Sequence, residues 1–390
     1  MTRAFAPTAL LLGNFATGVT VIGPTAMLSQ LALGLNVGIQ EAGLLITFGA
    51  IVLCIASPVT AWLTSQIDRR ALLTFTALAM AAGNFISAFV ADYSAVMAAR
   101  LIVLAAAALF TPQAAGAAAM LAPPEQRGSS ISYVYLGWSL AIAFGLPIIA
   151  HLAGTFGWRG AFGFIGGVAF VSAALLAWRL PGGLKGAPVD LKTWGGLMRS
   201  PVILTLLVIT TLQMSGQFTI LTYVAPLLST LTGAESGSIA IAFFVYGVAG
   251  FVGNVVASRI VDGFGAYKTS LLATSLLFFG IGTWLLGAGS FALMTAGILV
   301  WGLGFASSNS MQQVRLSIAA PAETSASVSL NTAVLYIGQS IGSGVGGFFF
   351  VREMYNAMML FSLASLCLAI TLIFFTRRRM ALAVPLPADR

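Results

Sequence analysis

What most constrains this chain is the recurrence of apolar runs about 20 residues long, the length at which a helix crosses the hydrocarbon of a bilayer. Twelve such runs are read, at 8–30, 41–63, 71–90, 95–120, 130–155, 160–180, 201–228, 238–257, 269–288, 291–313, 327–350 and 354–376. Charged residues make up only 7% of the chain and hydrophobic ones 59%, which excludes a soluble enzyme, a disordered chain and a nucleic-acid binder. Lipid cannot satisfy an open sheet edge, and the short alternating segments of a membrane barrel are absent, so the expected class is all-α. The first run has Arg3 ahead of it but is too long for a signal-peptide core, and no clear small-residue cleavage pattern follows. It is therefore read as part of the mature fold.

The net charge of +8 is a topology signal rather than a nucleic-acid footprint. With the N-terminus inside, the inner segments hold Arg3, Arg69, Arg70, Arg127, Arg179, Lys185, Lys192, Arg199, Arg259, Lys268, Arg315, Arg377, Arg378, Arg379 and Arg390. The outer segments hold Arg159 and Arg352 alone, and Arg100 is the one strong charge read inside a span. A bias of 15 to 2 places both termini in the cytoplasm.

The longest polar interruption, 181–200, contains Gly182, Gly183, Gly186 and Pro188 and reads as a linker. It divides a six-helix bundle at 1–180 from a second at 201–390 that ends in a short basic tail. Self-comparison supports the division. Ala122-Pro123-Pro124-Glu125 recurs as Ala320-Pro321-Ala322-Glu323, an offset of 198. Residues 61–70 align with 258–267 at an offset of 197. Parallel repeats of this kind carry a substrate near the midplane between halves.

Several local features then fit one known family. They are the loop ending Asp68-Arg69-Arg70, Arg100 in the fourth span, Gly145-Leu146-Pro147 in the fifth, Gly157-Trp158-Arg159 after it, and Asp262-Gly263-Phe264-Gly265 after the eighth. With twelve spans and a central linker, the whole chain resembles the major facilitator superfamily, and within it the drug and metabolite efflux branch that contains arabinose-efflux-like permeases. The family's loop signature is G-x-L-a-D-r-x-G-r-[RK]. The first copy here departs from it, with Ala61 at the leading glycine and Ser65 at the acid, whereas the second keeps Asp262 and Gly265. The resemblance implies a multi-pass bacterial inner-membrane exporter that exchanges a small organic molecule for protons, with no cofactor. It also implies gating roles for Ser65, Asp68, Arg69, Gly145, Pro147, Arg259, Asp262 and Lys268, and a relay or substrate role for Arg100.

The residues themselves add a narrower reading. Arg100 must face the interior or a wet cavity, because a charge in hydrocarbon is costly. All ten acids fall in loops or at span ends, so a membrane carboxylate for proton coupling is missing. Glu41 at the mouth of span two and His151, the single histidine, are the nearest titratable candidates; a helix-start cap and a plain hydrogen bond are their alternatives. Substrate candidates are the polar side chains within spans: Asn14, Thr17, Arg100, Gln113, Tyr135, Trp138, Gln213, Gln217, Tyr223, Tyr246, Asn309, Gln312, Asn331, Tyr336 and Gln339. Amides and phenols set among Met and Phe suit a neutral or weakly polar solute. Gly145 with Pro147 loosens span five, and the glycines at 342–347 let two helices approach closely.

Cys54 and Cys367 are isolated in apolar runs, which leaves no metal or redox site. One histidine and no acid pair leave no enzyme chemistry. Open alternatives are an uncoupled facilitator of a neutral solute and a non-transporting membrane receptor or scaffold. The expected partners are the substrate, the proton and the bilayer, and nothing requires more than a monomer.

Overall fold

The computed structural model describes residues 6–64, 66–123, 127–185, 195–320 and 324–383. Every regular element among them is helical. Eleven helical runs are long and apolar enough to cross a membrane, and one of these, Tyr133–Arg179, has 47 residues. At 1.5 Å per residue that run measures about 70 Å, twice the hydrocarbon thickness. It breaks at Gly157, whose φ of 72° and ψ of 173° are not helical. The run therefore holds spans five and six, and the described residues make twelve crossings.

The remaining spans are Ile39–Leu63, Arg69–Phe89, Tyr93–Leu121 and Arg127–Leu140 (which begins span five) in the first half. In the second half they are Ser236–Phe264, Ala266–Gly287, Phe291–Ala319, Thr324–Phe350 and Tyr355–Ala383. Spans one and seven are each interrupted near the outer end. Span one is Ala6–Ala26 followed by Leu28–Gly34, and span seven is Pro201–Leu221 followed by Val224–Thr232. The second break has a local cause: Pro226 offers no N–H to the carbonyl of Thr222, and the chain makes a tight turn from Tyr223 N to Ile220 O. The sequence reading had both spans continuous.

The two halves pack alike. Span one lies on span five, two on four, and three on four and six. Span seven lies on eleven, eight on ten, and nine on ten and twelve, the same relations six spans later. Small residues make the closest approaches possible. Gly137, Ala141 and Gly145 face span one, where side chains at 137 and 145 would strike the Leu11 carbonyl and Val19. Gly338, Gly342 and Gly346 face span seven at the same four-residue spacing.

Between halves, span two packs on eleven and span five on eight, while the outer pieces of spans one and seven touch. Thr47 and Ser343 share a 2.8 Å hydrogen bond across the first seam, and Gly154 meets Ser236 across the second. These contacts lie in the outer leaflet. At the inner end of span two, Val59, Trp62 and Leu63 are exposed. The Thr47–Ser343 and Gly154–Ser236 contacts between halves thus cluster toward the outer side.

One charge assignment is corrected. Arg315 is not on an inner loop: span ten continues to Ala319, and Arg315 is 1% exposed within it. Among the described residues, Arg315 therefore joins Arg100 as an arginine enclosed within its own bundle.

Candidate functional site

In the first half the polar groups join into one cluster. Asn14 donates through Nδ2 to the Val134 carbonyl at 2.9 Å and accepts at Oδ1 from Thr111 at 2.6 Å. Trp138 donates its indole N–H to the same Thr111 hydroxyl at 3.0 Å. Spans one, four and five are thereby pinned together beside the seam. Thr17 donates back to the Gly13 carbonyl, and Gln113, on the inner side, reaches the Thr64 hydroxyl at 3.5 Å. Tyr135 of span five and Tyr336 of span eleven lie within electrostatic range of each other, one from each half.

The second half carries a longer chain of bonds. Gln213 donates to Thr274 at 2.7 Å, and Gln312 donates to Gln213 at 3.4 Å. Arg315 then donates to Gln312 at 3.3 Å, to Ser270 at 3.5 Å and to Thr376. Gln217 accepts from Trp301, and Asn331 bridges Thr210 and Asn309. Gln213, Gln217, Gln312 and Asn331 are fully buried inside their own bundle. Gln339 is buried on span eleven. Tyr246 packs on Trp301 with ring centroids 5.1 Å apart and helps line an apolar crevice with Leu221, Phe243 and Ile298. Among the described residues its hydroxyl has no partner.

Arg100 is 1% exposed and points into the first bundle. One Nη donates to the Val21 carbonyl at 3.5 Å, and the guanidinium stands 5.8 Å from the Phe162 ring centroid. Its Nε and other Nη have no partner among the described residues. Glu41 accepts from the Gly38 N–H at 3.0 Å, closing the N-terminal turn of span two. His151 is exposed near the outer end of span five.

The inner loops hold the expected gate residues. Ser65 lies outside the described residues, as does the side chain of Asp262. Asp68 caps span three by accepting from Ala71 N at 3.1 Å, and its other oxygen accepts from Gly183 N at the start of the linker. Burial pushes this carboxyl up, but the N–H groups of Ala71, Gly183, Arg70 and Leu184 outweigh that and hold it below its ordinary value. Arg69 is buried and donates to the Thr64 carbonyl at 3.0 Å, while its backbone N–H bonds to Leu184 O. Arg70 donates to the carbonyl of Ala177, which Pro181 leaves without a helical donor. Arg259 and Lys268 are exposed, with Lys268 5.3 Å from the Phe264 ring. Ahead of Pro147, Ala141–Gly145 forms a π turn in which Leu146 N reaches back to Ala141 O.

Thr111, Thr274 and Thr376 were not singled out from sequence, because a hydroxyl in a span so often bonds its own preceding turn. Arg315 was missed because the hydropathy ruler ended span ten at Gln313.

Two six-helix bundles that meet along a seam and carry amides, phenols and hydroxyls within their spans are an architecture of membrane transporters. The Major Facilitator Superfamily matches residues 10–329, and the chain belongs to it. It is 27% identical over 341 residues to the inner membrane transport protein YdhP of Escherichia coli K12, covering 87% of each. It is also 26% identical over 339 residues to a probable sugar efflux transporter of Mannheimia succiniciproducens, covering 85% of this chain and 83% of that one. Among solved structures, an inward-facing, occupied bacterial homolog of the human lysosomal transporter Spinster superposes with a TM-score of 0.80 at 14% identity, over 99% of both chains. A peptide transporter POT gives 0.78 at 16%, over 97% of this chain and 95% of that one. At such identities the likeness is one of fold. The relatives are inner-membrane transporters rather than enzymes, and this chain is a multi-pass protein of the bacterial inner membrane.

Proposed function

We propose that the protein exports a small, uncharged or weakly polar organic molecule by alternating access, in exchange for protons. The halves 1–180 and 201–390, joined by 181–200, rock about the seam between them. The observation that carries the substrate class is the direction of the two arginines. Arg100 bonds to spans one and six and Arg315 to spans nine and twelve, so neither presents charge at the seam. Asn14, Gln113, Tyr135, Trp138, Tyr336 and Gln339 are then the polar groups proposed for the pocket, a set suited to a hydroxyl-rich solute. The resemblance to a probable sugar efflux transporter supports the same class.

One observation favours a second reading, an uncoupled facilitator. Among the described side chains no carboxylate sits mid-span; Glu41, Asp68 and Asp92 all cap helix starts. Proton exchange then falls to Arg100 or to a mechanism without a membrane acid. The test uses inside-out vesicles and a panel of labelled monosaccharides. Uptake driven by an acid interior and abolished by a protonophore is the expected result. Equal uptake with and without the gradient establishes the facilitator, and failure of counterflow for the whole panel removes the sugar-like class.

A further inference from the structure

Tyr223 was read from sequence as a substrate contact, yet its surroundings are those of a closure. The break in span seven before Pro226 leaves it outside both helical pieces, with φ −111° and ψ 12°. Its side chain is directed into the seam between spans two and eleven and is 1% exposed. The hydroxyl donates to the Ser343 carbonyl at 3.1 Å, and the ring stacks on Phe350 at 5.4 Å between centroids, 19° from parallel.

The seam has been emptied to receive it. A methyl carbon at Gly43 of span two would lie 2.1 Å from the phenol oxygen, and one at Gly347 of span eleven 2.5 Å from it. One at Gly346 would lie 2.9 Å from the ring. One turn along span two from Gly43, the Thr47 hydroxyl makes its 2.8 Å bond to Ser343. The phenol oxygen therefore sits where a residue of the first half and residues of the second converge. The hydrogen bond and the ring stacking of the phenol both stay within the second half, so separation of span two from span eleven at the outer face breaks only its fit against Gly43.

We propose that Tyr223 is a latch for the outer face: its phenol, held by span eleven, fills the space left by Gly43 and Gly347, biases the chain toward the outward-closed state, and loses its fit against span two when that face opens. The latch rests on the alternating-access reading above and adds to it a residue that sets the balance between states. It makes Tyr223 a positioning residue rather than a substrate contact. The glycines are there because the latch needs room, and a methyl group at 43 expels it.

The test reads closure of the seam directly and without substrate. Thr47→Cys and Ser343→Cys are introduced together after Cys54→Ala and Cys367→Ala, since hydroxyls 2.8 Å apart mark side chains within disulfide reach. The rate of oxidative cross-linking then reports how often the outer face is shut. Gly43→Ala and Tyr223→Ala, each measured on the monodisperse fraction, should slow cross-linking about tenfold, and Tyr223→Phe, which keeps the ring, about twofold. Unchanged cross-linking in folded Gly43→Ala and Tyr223→Ala protein overturns the latch, even if their thermal stability falls. Because no solute is involved, that outcome leaves the transport reading standing, and a failure of transport leaves this result valid.

Discussion

Arg100 and Arg315 sit inside opposite halves of a repeated fold, and both are enclosed without a carboxylate among the described residues, but they are held very differently. Arg315 reaches Gln312, Ser270 and Thr376, tying spans nine, ten and twelve through one guanidinium. Arg100 has one 3.5 Å bond to a carbonyl and an aromatic face, with two nitrogens left over. A buried cation without a counter-charge is tolerated where its N–H groups are met, and is costly where they are not. Arg315 behaves as a strut. Arg100, by contrast, keeps two N–H-bearing nitrogens without a partner among the described residues.

The widest gap between them should appear on deletion. Arg315→Ala leaves the Gln312 oxygen and the Ser270 and Thr376 hydroxyls without their donor in a closed interior, so a loss of about 3 kcal/mol is expected, read as a lowered melting temperature in detergent. Arg100→Ala should leave the melt within about 1 kcal/mol of the parent, since one long bond is lost, while transport in vesicles disappears. Equal melting of the two variants would erase the distinction, and full transport by Arg100→Ala would take that residue out of the mechanism. The conservative changes sharpen the contrast at smaller scale. Arg315→Lys should cost about 1–2 kcal/mol, because one ammonium cannot span three partners on a planar fork, whereas Arg100→Lys should be nearly neutral to stability.

The halves differ again at their inner loops, with the smallest expected effect. Asp68 stands where the family's second loop glycine falls, three residues beyond the family's acid position, and it caps span three while holding the linker at Gly183. Its carboxyl is depressed in the folded state, so its contribution is present above the unfolded value of about 3.9 and is lost as pH falls through the lower folded value. Asp68→Asn should therefore flatten the dependence of stability on pH in that acid window and leave it unchanged near neutrality. The site is largely open to solvent, which screens the effect to a small one.

The spans were legible because lipid imposes a length and a polarity that hydropathy measures directly. Sidedness followed from the basic loops, and the duplicated halves from the recurring Ala-Pro and gate segments. What stayed hidden depends on direction around a helix. Asn309, Gln312 and Arg315 look like the polar end of a span, but the helix runs on and turns them inward to spans seven, nine, eleven and twelve. Tyr223 looks like any phenol in an apolar run until a proline three residues later redirects it. The same holds for Asp68: its partner, Gly183, lies 115 residues away, and no local pattern links them.

The reversal at Gly157 has a mechanical corollary. Spans five and six turn back on each other with no intervening loop, and Arg159 anchors the turn to the Val90 carbonyl at the end of span three. A joint this short has no slack. The outer ends of spans five, six and three are therefore expected to shift together when the halves rock.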